Sequence, residues 1–353
     1  MGASGFRVYQ AGFYWSLLFV SFVCFTGTAE AHRKTKPKPQ AIEHDTAAEL
    51  ERISREAEAL RQQLKIRPKY DPILQRLAEL AIRAALGAER SLAVGDAPLF
   101  DTYRRKIREK FHSQRWRIDR MAAQGSGRAR FALGVFAVHG MLEPANVELA
   151  CQHFSGALAK NFRAAGFRLS QCLARDDPER AAGLMREAAD SGHPVAGELL
   201  ARDCLEAKPA DTACAYERLT VAAEAGRPSA QSLLAWMYTQ GVGGRSNTES
   251  AARLYLLAAR AGDAAAQNNV GELYETGRGV AADPKQALDW YRKAAEAGFA
   301  PAQFNLGRMY AAGHGMAKNL PEGRKWLESA DKAGIAQARQ VLEWIDREAV
   351  GLK

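Results

Sequence analysis

A chain of 353 residues with 47% hydrophobic and 25% charged residues is long enough for a sizeable core, and this composition excludes a disordered protein. Proline is scarce, at 13 residues, and alanine is abundant, a balance that favours helices over strands. The formal net charge of +9 lies mainly in the N-terminal third, because residues 32–125 hold 21 Lys and Arg against 13 Asp and Glu.

The first 31 residues have the features of an export signal. Arg7 precedes an apolar run from Ala11 to Phe25, which is shorter than the roughly 20 residues that a membrane-spanning helix needs. The sequence Ala29-Glu30-Ala31 fits an A-x-A cleavage site, so we expect a signal peptide at residues 1–31 and a periplasmic or secreted protein beginning at His32. The alternative is an uncleaved anchor in the inner membrane, because more positive charge follows the apolar run than precedes it.

Residues 32–42 are predicted to form a basic linker, and residues 43–125 an N-terminal helical region. Apolar residues recur in its first part at spacings of three and four, which is typical of a packed helix: Leu50, Ile53, Ala57, Leu60 and Leu64. A second helix is expected from Pro72 to Leu86, and a third from Pro98 to Ala123.

The third of these helices carries much of the basic excess of the region. We interpret this excess as a solvated helical surface. The alternative is contact with an anionic surface or a glycan. Nucleic acid is not expected as a partner of an exported protein.

The C-terminal half repeats itself with a period of 36 residues. Residues of one type stand in register in successive copies: Ala230, Ala266, Ala302 and Ala338; Tyr238, Tyr274 and Tyr310; Gly241, Gly277 and Gly313. In each copy the alanine and tyrosine share one face of a helix, and the glycine ends it. A second helix follows, beginning near Pro284 in one copy and Pro321 in the next. One such pair cannot bury both helices, so the pairs are expected to stack into a solenoid with a concave face.

The clearest copy reads Ala266-Gln267-x-x-Val270-Gly271-x-x-Tyr274-x-x-Gly277-x-Gly279-Val280-x-x-Asp283-Pro284-x-x-Ala287-x-x-Trp290-x-x-x-Ala294-Ala295-x-x-Gly298. It closely resembles the Sel1-like repeat, a branch of the tetratricopeptide superfamily. The resemblance implies an all-α fold, a right-handed α-solenoid of helix-turn-helix repeats preceded by N-terminal helices. We place about six units at residues 126–337, three clear and three degenerate, and a capping helix at residues 338–353.

Removal of the signal peptide leaves four cysteines, an even number that suits an oxidising compartment. In the implied arrangement of units, Cys151 and Cys172 lie about equally far from the turn between two antiparallel helices. Cys204 and Cys214 flank Pro209 in the same way. We therefore predict disulfides Cys151–Cys172 and Cys204–Cys214, among three possible connectivities. The alternative is four buried free thiols.

No catalytic motif is present in the sequence: there is no H-E-x-x-H, phosphate loop, G-x-S-x-G or dinucleotide fingerprint. Ser329 and Lys332 form an S-x-x-K pair, but the preceding unit has Lys293 and Glu296 at the same places, so we interpret the pair as a coincidence. The histidines are scattered without metal-ligand spacing, and no C-x-x-C pair occurs. We therefore expect that the protein is not an enzyme and that it binds no metal ion or cofactor.

For binding, the tetratricopeptide resemblance implies that the first helix of each pair lines the concave face. The residue after the small Gly or Ala position then points into the groove, which selects Trp236, Glu272 and Arg308, with Asn268 and Glu275 nearby. Trp and Arg are common at binding hot spots. For Trp236, packing between units is an equally good interpretation.

These features predict a non-enzymatic protein–protein interaction scaffold of the bacterial cell envelope, which binds a protein or peptide in the solenoid groove. Two alternatives use the same repeats: a membrane-anchored adaptor, and an accessory subunit that binds polysaccharide. Trp236 and Asn268 are the residues that favour polysaccharide. The basic N-terminal helices would add a second contact.

Overall fold

The computed structural model describes residues 46–66 and 71–349. Within these ranges the chain consists of helices and connecting turns, without a strand. The predicted all-α fold of helix-turn-helix repeats preceded by N-terminal helices is confirmed. The predicted signal peptide at residues 1–31 and the predicted basic linker at residues 32–42 lie outside the described residues. None of the helices in the described ranges combines the length and apolar character that crossing a bilayer requires.

The described residues divide into two compact units, 46–227 and 228–349. The first unit opens with four helices: α1 (Thr46–Ile66), α2 (Asp71–Val94), α3 (Ala97–Phe111) and α4 (Arg115–Ala123). Three helix pairs follow: α5 (Gly127–His139) with α6 (Val147–Leu158), α7 (Ala165–Leu173) with α8 (Pro178–Asp190), and α9 (Pro194–Glu206) with α10 (Thr212–Glu224). A core of apolar side chains runs through α1 to α8.

The second unit contains the three pairs whose repeat is clearest in the sequence. They are α11 (Pro228–Gln240) with α12 (Thr248–Arg260), α13 (Ala264–Thr276) with α14 (Pro284–Glu296), and α15 (Ala300–Ala312) with α16 (Leu320–Lys332). A single helix, α17 (Ala336–Ala349), follows where the sequence predicts a capping helix and packs on α16. The second helix of each pair begins at an Asn or Asp whose side chain accepts a backbone N–H: Asn247, Asp283 and Asn319.

The second and third helices of the N-terminal region differ from the prediction. α2 continues past Leu86 to Val94, because Gly87 does not end the helix but permits a close contact with α3. A Cβ atom at Gly87 would lie 2.5 Å from the hydroxyl oxygen of Tyr103. The predicted third helix is divided into α3 and α4, since Phe111 leaves helical geometry at φ −124° and a 3-10 turn follows at His112–Gln114.

Small residues bring the two helices of a pair together. A Cβ atom at Gly134 would lie 2.5 Å from the ring of Phe154, and one at Gly271 would lie 2.7 Å from the ring of Tyr291. Gly279 has a φ of +74°, and a side chain there would meet the backbone at the start of α12. The recurring glycines therefore fix the distance between the helices of a pair and the path of the turn that follows.

Candidate functional site

Each unit has a surface formed by the first helices of its successive pairs, which we call the first-helix face. In the first unit it consists of α5, α7 and α9, and α2 packs against α5 and α9. The carboxylate of Glu89 on α2 accepts hydrogen bonds from Arg168 on α7 at 2.7 and 3.0 Å and lies 3.2 Å from Nε2 of His139 on α5. Burial disfavours the charge of Glu89, but Arg168 and His139 outweigh burial and lower the pKa of this carboxyl.

The end of α2 is also fixed to this face. Arg227 pairs with Glu198, a buried carboxylate of α9, and donates a hydrogen bond of 3.1 Å to the carbonyl oxygen of Ala93. Leu77, Leu80 and five alanines of α2 are buried as well. In the first unit, the first-helix face is therefore covered by a helix of the same chain.

The second unit forms its first-helix face from α11, α13 and α15, and all five predicted partner-binding residues lie on these helices. The side chains of Glu272 and Arg308 are 54% and 38% exposed. Trp236 is partly buried against the core formed by α11, α12 and α13, Glu275 is 13% exposed, and Asn268 is buried. The five residues therefore divide into an accessible set and a set that packs between helices.

Glu275 is the centre of an ion-pair and hydrogen-bond cluster. Nη2 of Arg308 donates to both of its carboxylate oxygens, at 2.8 and 2.9 Å. The hydroxyl of Tyr291 on α14 donates to the same carboxylate at 3.0 Å, and Nδ1 of His314 lies 3.5 Å away. Burial and the adjacent charge of Glu275 raise the pKa of Tyr291, so this hydroxyl keeps its proton and remains a donor.

Arg308 keeps part of its hydrogen-bonding capacity. Its Nε and Nη1 atoms make no hydrogen bond within the described part of the chain, while Nη2 is held by Glu275. A guanidinium has five N–H donors in a fixed plane. Arg308 is therefore a partly exposed cation whose orientation is set in advance and whose free donors suit a carboxylate or a peptide carbonyl.

The remaining predicted residues contact their own neighbours. Nδ2 of Asn305 on α15 donates to Oδ1 of Asn268 on α13 at 3.0 Å, so Asn268 links two pairs within the unit. Glu272 has a long ion pair with Arg278, at 3.8 Å, which leaves its carboxylate largely solvated.

Several residues of this cluster were not predicted from the sequence. Tyr291 was not singled out, although Tyr255 stands 36 residues before it and the repeat could have identified it. Asn305 follows Asn269 by the same period. His314 occupies a turn position that has no histidine in the other copies, and no signal in the sequence identifies it.

The cysteines join in the pairs that the sequence analysis predicts. Cys151 on α6 is bonded to Cys172 on α7, with Cα atoms 5.8 Å apart. Cys204 on α9 is bonded to Cys214 on α10, with Cα atoms 6.1 Å apart. Each disulfide links consecutive helices of the first unit. Among the described residues, no group of His, Cys, Asp and Glu is arranged to hold a metal ion.

The helix pairs and their first-helix faces define a helical-repeat protein of the tetratricopeptide-like class. The family model described as Sel1 repeat matches residues 167–193, 228–263, 264–299 and 300–334. These segments contain most of α7, all of α8 and the three pairs of the second unit. The chain therefore carries Sel1 repeats, which confirms the resemblance, and proteins with this repeat generally act as protein-interaction scaffolds.

Several solved structures are similar to this chain, of which two illustrate the likeness. A Sel1 repeat protein from Oxalobacter formigenes is 26% identical, over 63% of this chain and 92% of that one, with a TM-score of 0.52. The protein c5321, a protective antigen present in uropathogenic Escherichia coli strains and displaying an SLR fold, is 20% identical over 83% of this chain and 68% of its own, with a TM-score of 0.58. The second likeness concerns the fold alone. No curated protein matches the sequence.

Proposed function

We propose that this chain is a non-enzymatic interaction scaffold of the bacterial cell envelope, and that it holds a protein or peptide on the first-helix face of residues 228–349. The observation that supports this most directly is the state of Arg308, whose guanidinium is oriented by Glu275 and has unused N–H donors at an accessible position. A preorganised arginine loses little conformational entropy on binding, which favours it as an anchor.

The second unit is the better place for a partner because the corresponding face of the first unit is filled. A partner there would have to displace α2, breaking the buried contact between Glu89 and Arg168. On the second unit, Glu272 offers a solvated carboxylate and Arg308 a cation on neighbouring first helices. This arrangement suits a polar segment with both charges, and the partly buried Trp236 on α11 is an aromatic residue of the same first-helix face.

A periplasmic or secreted location accompanies this proposal. Disulfides persist in oxidising compartments, and the first unit contains two. Detergent-free fractionation of cells after a high-salt wash tests the location, because salt releases a protein that is held to a membrane by charge alone. Release into the soluble envelope fraction supports the proposal, whereas retention with the membrane through the wash would favour the anchored adaptor.

The binding role is tested by affinity capture from the protein's own cell envelope, with protein and glycan both analysed. The variants are Glu272→Ala and Arg308→Gln, and the matched control is Arg260→Gln, an exposed arginine of α12 without an ion pair among the described residues. We expect the wild type and the control to capture a specific protein. The captured amount of that protein should fall about tenfold or more in each variant.

Glu272→Ala is not expected to disturb folding, because Glu272 is solvated and its loss leaves no buried group unpaired. A loss of capture by this variant therefore reports on binding. Equal capture by all four proteins would place the binding site elsewhere. Capture of glycan without protein would favour the polysaccharide-binding alternative instead.

A further inference from the structure

The basic excess of the N-terminal region is concentrated on α3 and α4. α1 carries four acidic and four basic residues, and α2 carries three of each. Residues 97–123, by contrast, hold eight Lys and Arg against three Asp and Glu. Three of these cations are paired, Lys106 and Lys110 with Glu51 and Glu58 of α1 and Arg115 with Asp119 and Glu143. The surplus therefore lies on the remaining arginines of this segment.

Five exposed residues recur at every fourth position along this segment, and all are basic or aromatic: Arg104, Arg108, His112, Trp116 and Arg120. We call them the basic-aromatic stripe. Within each helix, residues four apart are neighbours on the surface: Arg104 and Arg108 on α3, and Trp116 and Arg120 on α4, with His112 in the 3-10 turn between the two helices. The residues of α3 that face the core are Phe100, Tyr103, Ile107 and Phe111. The exposed acidic residues of α3, Asp101 and Glu109, form no ion pair with the arginines of the stripe within the described residues.

The charges of the stripe are available to a partner. Within the described part of the chain, Arg104 and Arg120 form no ion pair. Arg108 donates only to the carbonyl oxygens of Gly140 and Met141, at 2.9 and 3.4 Å, which leaves its positive charge without a counter-ion. A row of uncompensated cations of this kind attracts an anionic surface.

Trp116 adds an apolar element to the stripe. It is 53% exposed, and the guanidinium of Arg117 lies 4.3 Å from the centre of its ring. An indole ring is favoured at the boundary between lipid headgroups and acyl chains, where one part of it is apolar and the other is hydrated. A soluble polyanion would bind the arginines but would give this ring no apolar environment.

We propose that the basic-aromatic stripe docks this chain on a bilayer that contains anionic phospholipid, with the arginines at the headgroups and Trp116 inserted at the interface. The stripe lies on α3 and α4, whereas the proposed partner-binding face lies on α11, α13 and α15. The docking surface is therefore independent of the first-helix face, and either proposal can fail without the other.

Sedimentation of the full chain with lipid vesicles tests the docking surface. Neutral vesicles of phosphatidylcholine report any binding through the apolar segment at residues 11–25, and mixed vesicles of phosphatidylcholine and phosphatidylglycerol, about three to one, report the anionic contribution. The stripe variant is Arg104→Gln, Arg120→Gln, Trp116→Ala. The matched control is Arg253→Gln, Arg260→Gln, Trp344→Ala, which removes the same charge and one exposed tryptophan from the second unit.

We expect the wild type and the control to bind the anionic vesicles more tightly than the neutral ones, and added salt to weaken this preference. The stripe variant should lose about tenfold or more of its binding to anionic vesicles and keep its helical circular dichroism. Equal loss in the stripe variant and the control would overturn the proposal. So would full competition by soluble polyphosphate combined with unchanged vesicle binding of Trp116→Ala alone, which would identify a polyanion site.

Discussion

His193 caps α9 and packs on α7 at the same time. Its ring stacks on Phe167 with centroids 4.1 Å apart, and its Nδ1 accepts the backbone N–H of Ala196 at 3.4 Å. Burial and then the charge of Arg168 lower the pKa of His193 to about 4, against an opposing contribution from Glu89. The cap therefore depends on the neutral form of the ring, because a protonated Nδ1 cannot accept a hydrogen bond.

This neutral histidine predicts a loss of stability in mild acid. The unfolded chain protonates His193 near its ordinary pKa of 6.5, while the folded protein resists protonation down to about 4. The contribution of neutral His193 to the free energy of unfolding is therefore complete above pH 6.5. It is lost as pH falls towards 4, which lowers the free energy of unfolding by up to about 3 kcal/mol. Urea unfolding at a series of pH values measures it.

His193→Asn is the matched control, because asparagine also caps a helix but does not titrate. Its free energy of unfolding should fall less between pH 6.5 and 4 than that of the wild type. An identical fall in both proteins would show that other groups cause the acid sensitivity.

At the scale of helices, the 36-residue period predicted the pairs of the second unit because each recurring residue has a local physical task. Gly277 ends α13 in the left-handed conformation, and Pro284 starts α14. A helix stop or start of this kind depends on residues that are close in the sequence, so the sequence alone predicts it. The docking of α2 is not, because Glu89 and Arg168 are 79 residues apart and nothing local encodes which face α2 covers.

The same limit applies to the candidate site. The register of the repeat placed Glu272, Glu275 and Arg308 on the first helices. It did not reveal that Arg308 binds Glu275, because that pairing depends on how neighbouring first helices are rotated relative to each other. The periodicity predicts which residues lie on one face of a helix, whereas the packing of neighbouring helices determines which of these residues form ion pairs.

The distance between the helices of a pair is predicted to be sensitive to a single methyl group. Gly271→Ala places a Cβ atom against the ring of Tyr291 and should destabilise the protein by about 1–3 kcal/mol. Ala235 of α11 lies 36 residues before Gly271 and is fully buried. A methyl group at this position is therefore accommodated in the pair of α11 and α12, whose native packing includes it. Thermal and urea unfolding measure the change.

Gly183→Ala, in the interior of α8, is the control for Gly271→Ala. A Cβ atom there meets nothing within 4 Å, so this change should stabilise the protein by up to about 1 kcal/mol through helix propensity. Destabilisation of similar size by both changes would contradict the close-contact explanation.

Across the whole chain, the two units are stabilised in different ways. Residues 228–349 contain no cysteine. The two helices of a pair are joined there by a turn with glycines in the left-handed conformation, such as Gly277 and Gly279, or Gly313 and Gly315. In the first unit, disulfides link α6 to α7 and α9 to α10. Covalent links thus stand in the part of the chain where the sequence repeat is weakest.

This division predicts that reduction acts on one unit only. The two disulfides close loops with sequence separations of 21 and 10 residues, for which the chain-entropy model gives about 3 kcal/mol each. A reducing agent should therefore lower the protection of backbone amides against hydrogen exchange in α6 to α10 and leave α11 to α16 unchanged. Cys151→Ser with Cys172→Ser should reproduce the effect at α6 and α7 without reductant. Alkylation of all four cysteines in the untreated protein, or an equal loss of protection in both units, would refute this account, because the second unit has no sulfur bridge to lose.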